Sequence, residues 1–128
     1  MEITLNHTVI PTYNHIDTAK FYERIFGFEF VKVWGSFAVV KVNSTLTLDF
    51  MNKEEFHSLH YAFKVSESEF DQIFNNVKNE KLAYGSSPLA QEDGNINQDN
   101  GGRGVYFKDM NGHVLEIITQ DYNLDIQP

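Results

Sequence analysis

Cysteine is absent from the 128 residues. That excludes a disulfide scaffold, a thiol nucleophile, an iron–sulfur cluster and a cysteine zinc site, so any metal has to be held by His, Asp, Glu or water. Basic residues are scarce too. Ten Lys and Arg stand against eighteen Asp and Glu, a formal net charge of −8, which repels polyanions and argues against nucleic acid or an anionic membrane as partner. No apolar run approaches the roughly 18 residues of a membrane span, and Met1-Glu2-Ile3-Thr4 lacks the basic and apolar regions of a secretory signal. A cytoplasmic location is expected. Apolar material is not scarce: 41% of residues are hydrophobic and 14% aromatic, enough for one domain of this length to build a core without staples.

Residues 3 to 10, ITLNHTVI, read as a first strand closed by Pro11. Asp17 or Thr18 is placed to cap a helix running to about Phe26, with Phe21, Tyr22, Ile25 and Phe26 on one face and Gly27 just past the end. Three short runs follow, FEFVKVW, FAVVKV and TLTLDF. The order then recurs. Leu59 to Val65 is a strand, Ser66 or Ser68 caps a helix bearing Phe70, Ile73, Phe74 and Val77, and short strands around Tyr84, Val105 and Val114 complete the second half. The expected fold class is α+β: tandem βαβββ modules forming a curved mixed sheet, module one about 3–52 and module two about 57–120, in one domain.

Aligned by hand, the closing hairpins of the two modules match without a gap. Val40 to Phe50 lies on Phe107 to Ile117, and His7 in the first strand of module one lies on His60 in the first strand of module two. Asp49 thereby falls on Glu116. The His-to-carboxylate separation is 42 residues in the first module and 56 in the second, and the polar stretch from Ser86 to Arg103 takes up the difference as a long loop, with the length and composition of a mobile lid. If the outer strands of the modules neighbour one another, two His and two carboxylates at repeated positions would form a metal-ligand set suited to Zn, Ni, Fe, Mn or Co at an open site, whereas calcium would want more oxygens and no nitrogen. The structural alternative is a buried His satisfying a backbone carbonyl and a solvated strand-end acid. Both acids sit inside apolar runs on the face opposite Leu48 and Leu115, where an unpaired carboxylate is costly and a divalent cation is one remedy.

Tandem modules with this His and carboxylate placement resemble the vicinal oxygen chelate superfamily, which includes glyoxalase I, fosfomycin-resistance transferases, extradiol dioxygenases and bleomycin-binding proteins. The resemblance covers essentially the whole chain and is carried by LNHTVIP, AKFYERIFGFEF, HYAFKVSESEFDQIF and GGRGVYFKDMNGHVLEIIT. It implies that His7, His60 and Glu116 are metal ligands and that Asp49 stands where glyoxalase I carries a fourth ligand, with Glu116 or Asp49 moving a proton. It further implies one divalent ion per site, a small substrate chelating through adjacent oxygens, and a homodimer with sites shared between subunits. Glyoxalase-like isomerisation or lysis is the leading activity. An iron-dependent extradiol-type dioxygenase and a metal-free, non-catalytic sequestering protein of the bleomycin-binding kind are the alternatives.

Arg103 and Tyr106 are candidates to line the substrate pocket, Arg103 as the cation able to grip an anion bidentately. Tyr84 is a further pocket candidate, and for both tyrosines the core reading is nearly as good. Trp34 and the phenylalanines of FEF, SFAVV and LDF read as core. His15 and His57 read as surface, and His113 as a residue of the last hairpin's edge. The acidic stretch from Asp93 fails as a calcium loop, because Gln98 stands where a glycine is required and Gly104 where a bidentate Glu is required.

Overall fold

The computed structural model describes residues 1–125. Their elements, in chain order, are β1 (His7–Thr12), α1 (His15–Phe26), β2 (Glu29–Trp34), β3 (Phe37–Lys41), β4 (Thr47–Asn52), β5 (His60–Lys64), α2 (Glu67–Asn79), β6 (Tyr84–Gly85), β7 (Gly104–Lys108) and β8 (Val114–Ile118). Two compact units divide between His57 and Ser58. The first holds a sheet of order β1-β4-β3-β2 and the second a sheet of order β5-β8-β7-β6. Within each, the first strand runs parallel to the last and the remaining pairs are antiparallel. The α+β class and the βαβββ order are as expected, but each module closes a four-stranded sheet of its own.

Pro11 does not end the first strand as its ring would suggest. It lies inside β1, which is an edge strand, and an edge position tolerates a residue with no N–H to donate. Helix α1 also starts earlier than expected, because Asn14 rather than Asp17 or Thr18 is the cap and accepts the Asp17 amide at 3.0 Å. Gly27 ends it in the left-handed region at φ 79°, which only glycine adopts without cost. On α2, Ser66 and Glu69 form a reciprocal capping box. Bonding to Ser66 holds the Glu69 carboxyl below its ordinary range.

Each helix covers one face of its own sheet. In the first unit Phe21, Tyr22 and Ile25 bury against Ile10, Val40, Leu48 and Phe50, and in the second Phe70, Ile73 and Val77 lie in a core with Val105, Phe107, Leu115 and Ile117. The long loop is cross-braced, which departs from the expected lid. Asp93 accepts from the amides of Ser86 and Asn95 at 3.0 and 2.9 Å, and the Asn97 side chain donates to the Ser86 carbonyl at 2.8 Å. Glycine is required where the loop crosses the sheet edge: a Cβ on Gly85 would come within 2.0 Å of the Ala90 carbonyl.

His113 is fully buried. Its Nδ1 accepts the Leu59 amide at 3.0 Å, and its own amide donates to Asp109 at 3.0 Å, so this ring fastens the entry of β5 to the β7–β8 turn. His113→Leu should therefore destabilise the protein by about 2 kcal/mol, because the Leu59 N–H loses its acceptor. Urea unfolding measures this, with His57→Ala expected within about 0.5 kcal/mol of wild type.

Candidate functional site

Strand alternation sends the odd-numbered residues of β1, β3 and β4 to the face that α1 does not cover. His7, Val9, Val39, Thr47 and Asp49 all stand there. His7 pairs with Thr47, the residue two before Asp49. In the second unit His60 pairs with Val114, the residue two before Glu116. The repeat alignment thus holds in register: each His stands one strand over and two residues back from its carboxylate, on the same open face.

In the second unit the pair is in contact. His60 Nε2 lies 3.0 Å from Glu116 Oε1, with the two side chains 46% and 15% exposed. Tyr106 sits directly across from Glu116 on β7, beside that carboxylate. Burial, followed by the charge of Glu116 and hydrogen bonding toward it, pushes the phenol up to about 12, so it stays neutral at all ordinary pH. The His60 ring meets the Tyr106 ring edge-on at 5.9 Å. In the first unit the ligand types are less tightly bound to one another. His7 Nδ1 donates to Asn6 Oδ1 at 2.8 Å, which fixes the tautomer and leaves the Nε2 lone pair available, the usual arrangement behind a metal-binding imidazole. Asp49 accepts from the Thr47 hydroxyl at 3.1 Å. His7 and Asp49 line one cavity of about 370 Å³ together with Asn6, Thr47, Lys32 and Trp34, a volume suited to a small molecule.

The donor set fits a divalent ion. Two donors each about 2.1 Å from one ion and at right angles lie about 3.0 Å apart, the separation that His60 and Glu116 hold. Among the described residues no three His, Asp or Glu side chains converge on one point; each unit brings together two.

Arg103 is not available as expected. It donates to Glu67 Oε1 at 2.9 Å and Asp71 Oδ1 at 2.8 Å, both on α2, and its guanidinium covers the Phe70 ring at 4.3 Å. It serves the helix-covered face, opposite to Glu116 and Tyr106. Tyr84 likewise packs edge-on against Phe74 of α2 at 5.0 Å. Trp34, expected in the core, is 67% exposed and lines the His7 cavity. Sequence spacing alone does not single out Asn6 and Thr47, although Asn6 immediately precedes His7 and Thr47 shares a strand face with Asp49.

No protein-family model matches the chain. Oxidase ChaP-H2 superposes with a TM-score of 0.91 at 38% identity, covering 96% of this chain and 98% of that one. Metallothiol transferase FosB of Lysinibacillus sphaericus (strain C3-41) is 26% identical over 122 residues, 91% of this chain and 82% of its own. A FosX variant from Listeria monocytogenes, complexed with Mn(II) and 1S,2S-dihydroxypropylphosphonic acid, shares the fold at a TM-score of 0.71 and 19% identity, over 94% of this chain and 95% of that one. The chain belongs to the vicinal oxygen chelate superfamily. Its two four-stranded mixed sheets, each with one helix, are the architecture of that superfamily. Among the described residues no helix is long and apolar enough to cross a membrane.

The Arg103 geometry has a pH signature. Bonds from Thr119 and then Arg103 hold Glu67 below its ordinary value of 4.5, so this contribution is present at neutral pH and lost as pH falls through the lowered value. Arg103→Met should lower the urea midpoint at pH 7, with the gap to wild type closing below pH 4.5, and should leave metal content unchanged. Unchanged stability at pH 7 would show that the ion pairs contribute nothing.

Proposed function

We propose that this protein is a divalent-metal-dependent enzyme in which His7, His60 and Glu116 hold one ion of the Zn, Ni, Fe, Mn or Co group. The substrate is a small molecule that chelates the ion through adjacent oxygens. The reading is carried by His60 Nε2 and Glu116 Oε1 at 3.0 Å on an open sheet face. A bound ion would supply Lewis-acid polarisation of the substrate oxygens and, as iron, a path for electrons to dioxygen. The residues divide the remaining tasks. Asn6 orients His7, Tyr106 flanks the Glu116 carboxylate from the neighbouring strand, and Asp49, bonded to Thr47 beside the cavity, moves the proton.

Oxidation by dioxygen is favoured over the isomerisation expected from sequence. The support is 38% identity with Oxidase ChaP-H2 along nearly the whole chain and a set of two His and one carboxylate, which suits non-haem Fe(II). Glyoxalase-like isomerisation is the second reading, favoured by Asp49, a second carboxylate in the same cavity as His7 that could carry a proton between carbons. Each unit presents half of the ligand set, and a two-fold homodimer in which His7 and Asp49 of one copy meet His60 and Glu116 of another completes it twice.

Elemental analysis after reconstitution with each of the five metals is the direct test. Stoichiometric metal is expected in wild type, and His60→Ala should lower it about tenfold or more without unfolding the chain, while His15→Ala changes nothing. No stoichiometric metal with any of the five would leave a sequestering protein as the better reading. Sharing is tested by subunit exchange between His7→Ala and His60→Ala chains. One site of the mixed dimer then collects both substitutions and the other neither, so up to about half of its metal sites should return. A monomer in sedimentation, or no recovery in verified mixed dimers, rules sharing out.

A further inference from the structure

We infer that Lys32 and Trp34 form a recognition wall beside His7 and Asp49 for a flat aromatic anion, the ring lying on the indole and the charge against the lysine ammonium. The inference rests on the reading of His7 and Asp49 as site residues. Its starting point is a register shift in β2. Phe30 pairs with Val40, whose side chain is in the core, but Lys32 pairs with Val39 on the opposite face, with the irregularity between Phe30 and Lys32. Unbroken alternation would have carried Lys32 and Trp34 to the helix side after Phe30, where an ammonium would be desolvated at heavy cost. The bulge re-aims both side chains.

The result is a continuous row across four strands, Val9, Asp49, Val39 and Lys32, with Trp34 at the end of β2. Lys32 Nζ stands 5.8 Å from the Trp34 ring centroid, and among the described residues it has no ion pair. Both side chains line the cavity that contains His7 and Asp49. An indole 67% exposed at the mouth of such a cavity offers a stacking surface. In a chain of net charge −8, an anion needs a local, uncommitted cation to enter, and Lys32 is one.

The test uses the full chain, freed of metal with EDTA, so that it does not depend on metal chemistry. The probe is 2-naphthoate, followed by calorimetry and by quenching of Trp34, the single tryptophan. Saturable binding with quenching is expected. Lys32→Met should weaken 2-naphthoate about tenfold while leaving the neutral 2-naphthamide unchanged, and Trp34→Leu should weaken both about tenfold. Cyclohexanecarboxylate, charged but not aromatic, should bind more weakly than 2-naphthoate. The inference is overturned by absence of saturable 2-naphthoate binding, by equal loss of acid and amide in Lys32→Met, or by full retention of both in Trp34→Leu. Metal analysis of the same variants separates the two readings. Wild type that binds 2-naphthoate but takes up no metal sinks the enzyme reading alone, and wild type that takes up metal but ignores 2-naphthoate sinks this one alone.

Discussion

One helix covers only one face of a sheet, and the rest of this molecule follows from that. The parallel pairing of β1 with β4 and of β5 with β8 demands a crossover, which in each unit contains the single helix. The apolar residues of the sheet must turn toward that helix, so alternation commits every second residue to the other side. Leu48 and Phe50 go to the core and Asp49 between them cannot. The same holds for Leu115 and Ile117 around Glu116. The carboxylates are where they are because the core needs their neighbours, and the parallel first strand then brings a His to the same face.

Equal scaffold positions have taken different chemistry. The residue across from the acid on the preceding strand is Val39 in the first unit and Tyr106 in the second. A phenol there stands beside the carboxylate, which would suit the ligand role proposed for Glu116. A valine offers no polar group, so among the described residues Asp49 takes its hydrogen bond from Thr47 within its own strand and borders a cavity instead. Such a difference between the two acids is what the proposed division into ligand and proton carrier would require.

Periodicity made most of this legible. Short apolar runs, glycine at Gly27 and the capping residue Ser66 marked the elements, and the ungapped hairpins of the repeat put His on His and acid on acid. What could not be read was anything decided by an irregularity or by a neighbour distant in sequence. Trp34 belongs by its spacing to the core of FEFVKVW, and only the bulge after Phe30 sends it outward. Arg103 lies among polar loop residues and reads as a free cation, yet Glu67 and Asp71 stand 36 and 32 residues away in sequence and take its donors. Pro11 reads as a terminator because nothing local says that β1 is an edge.

Charge links the two halves of the chemistry. A divalent ion in the proposed set carries a formal charge that the two carboxylates, Glu116 and Asp49, would together balance. A chelating substrate that enters as a monoanion leaves one uncompensated negative charge, and in a partly desolvated cavity such a charge is expensive. Arg103 cannot answer it, because its guanidinium already neutralises α2. Lys64 is tied to Asp121 at 3.1 Å. Lys32 stands in the same cross-strand row as Asp49 and holds no carboxylate among the described residues, so the bulge that turns it outward places the missing positive charge on the side where the substrate would need it.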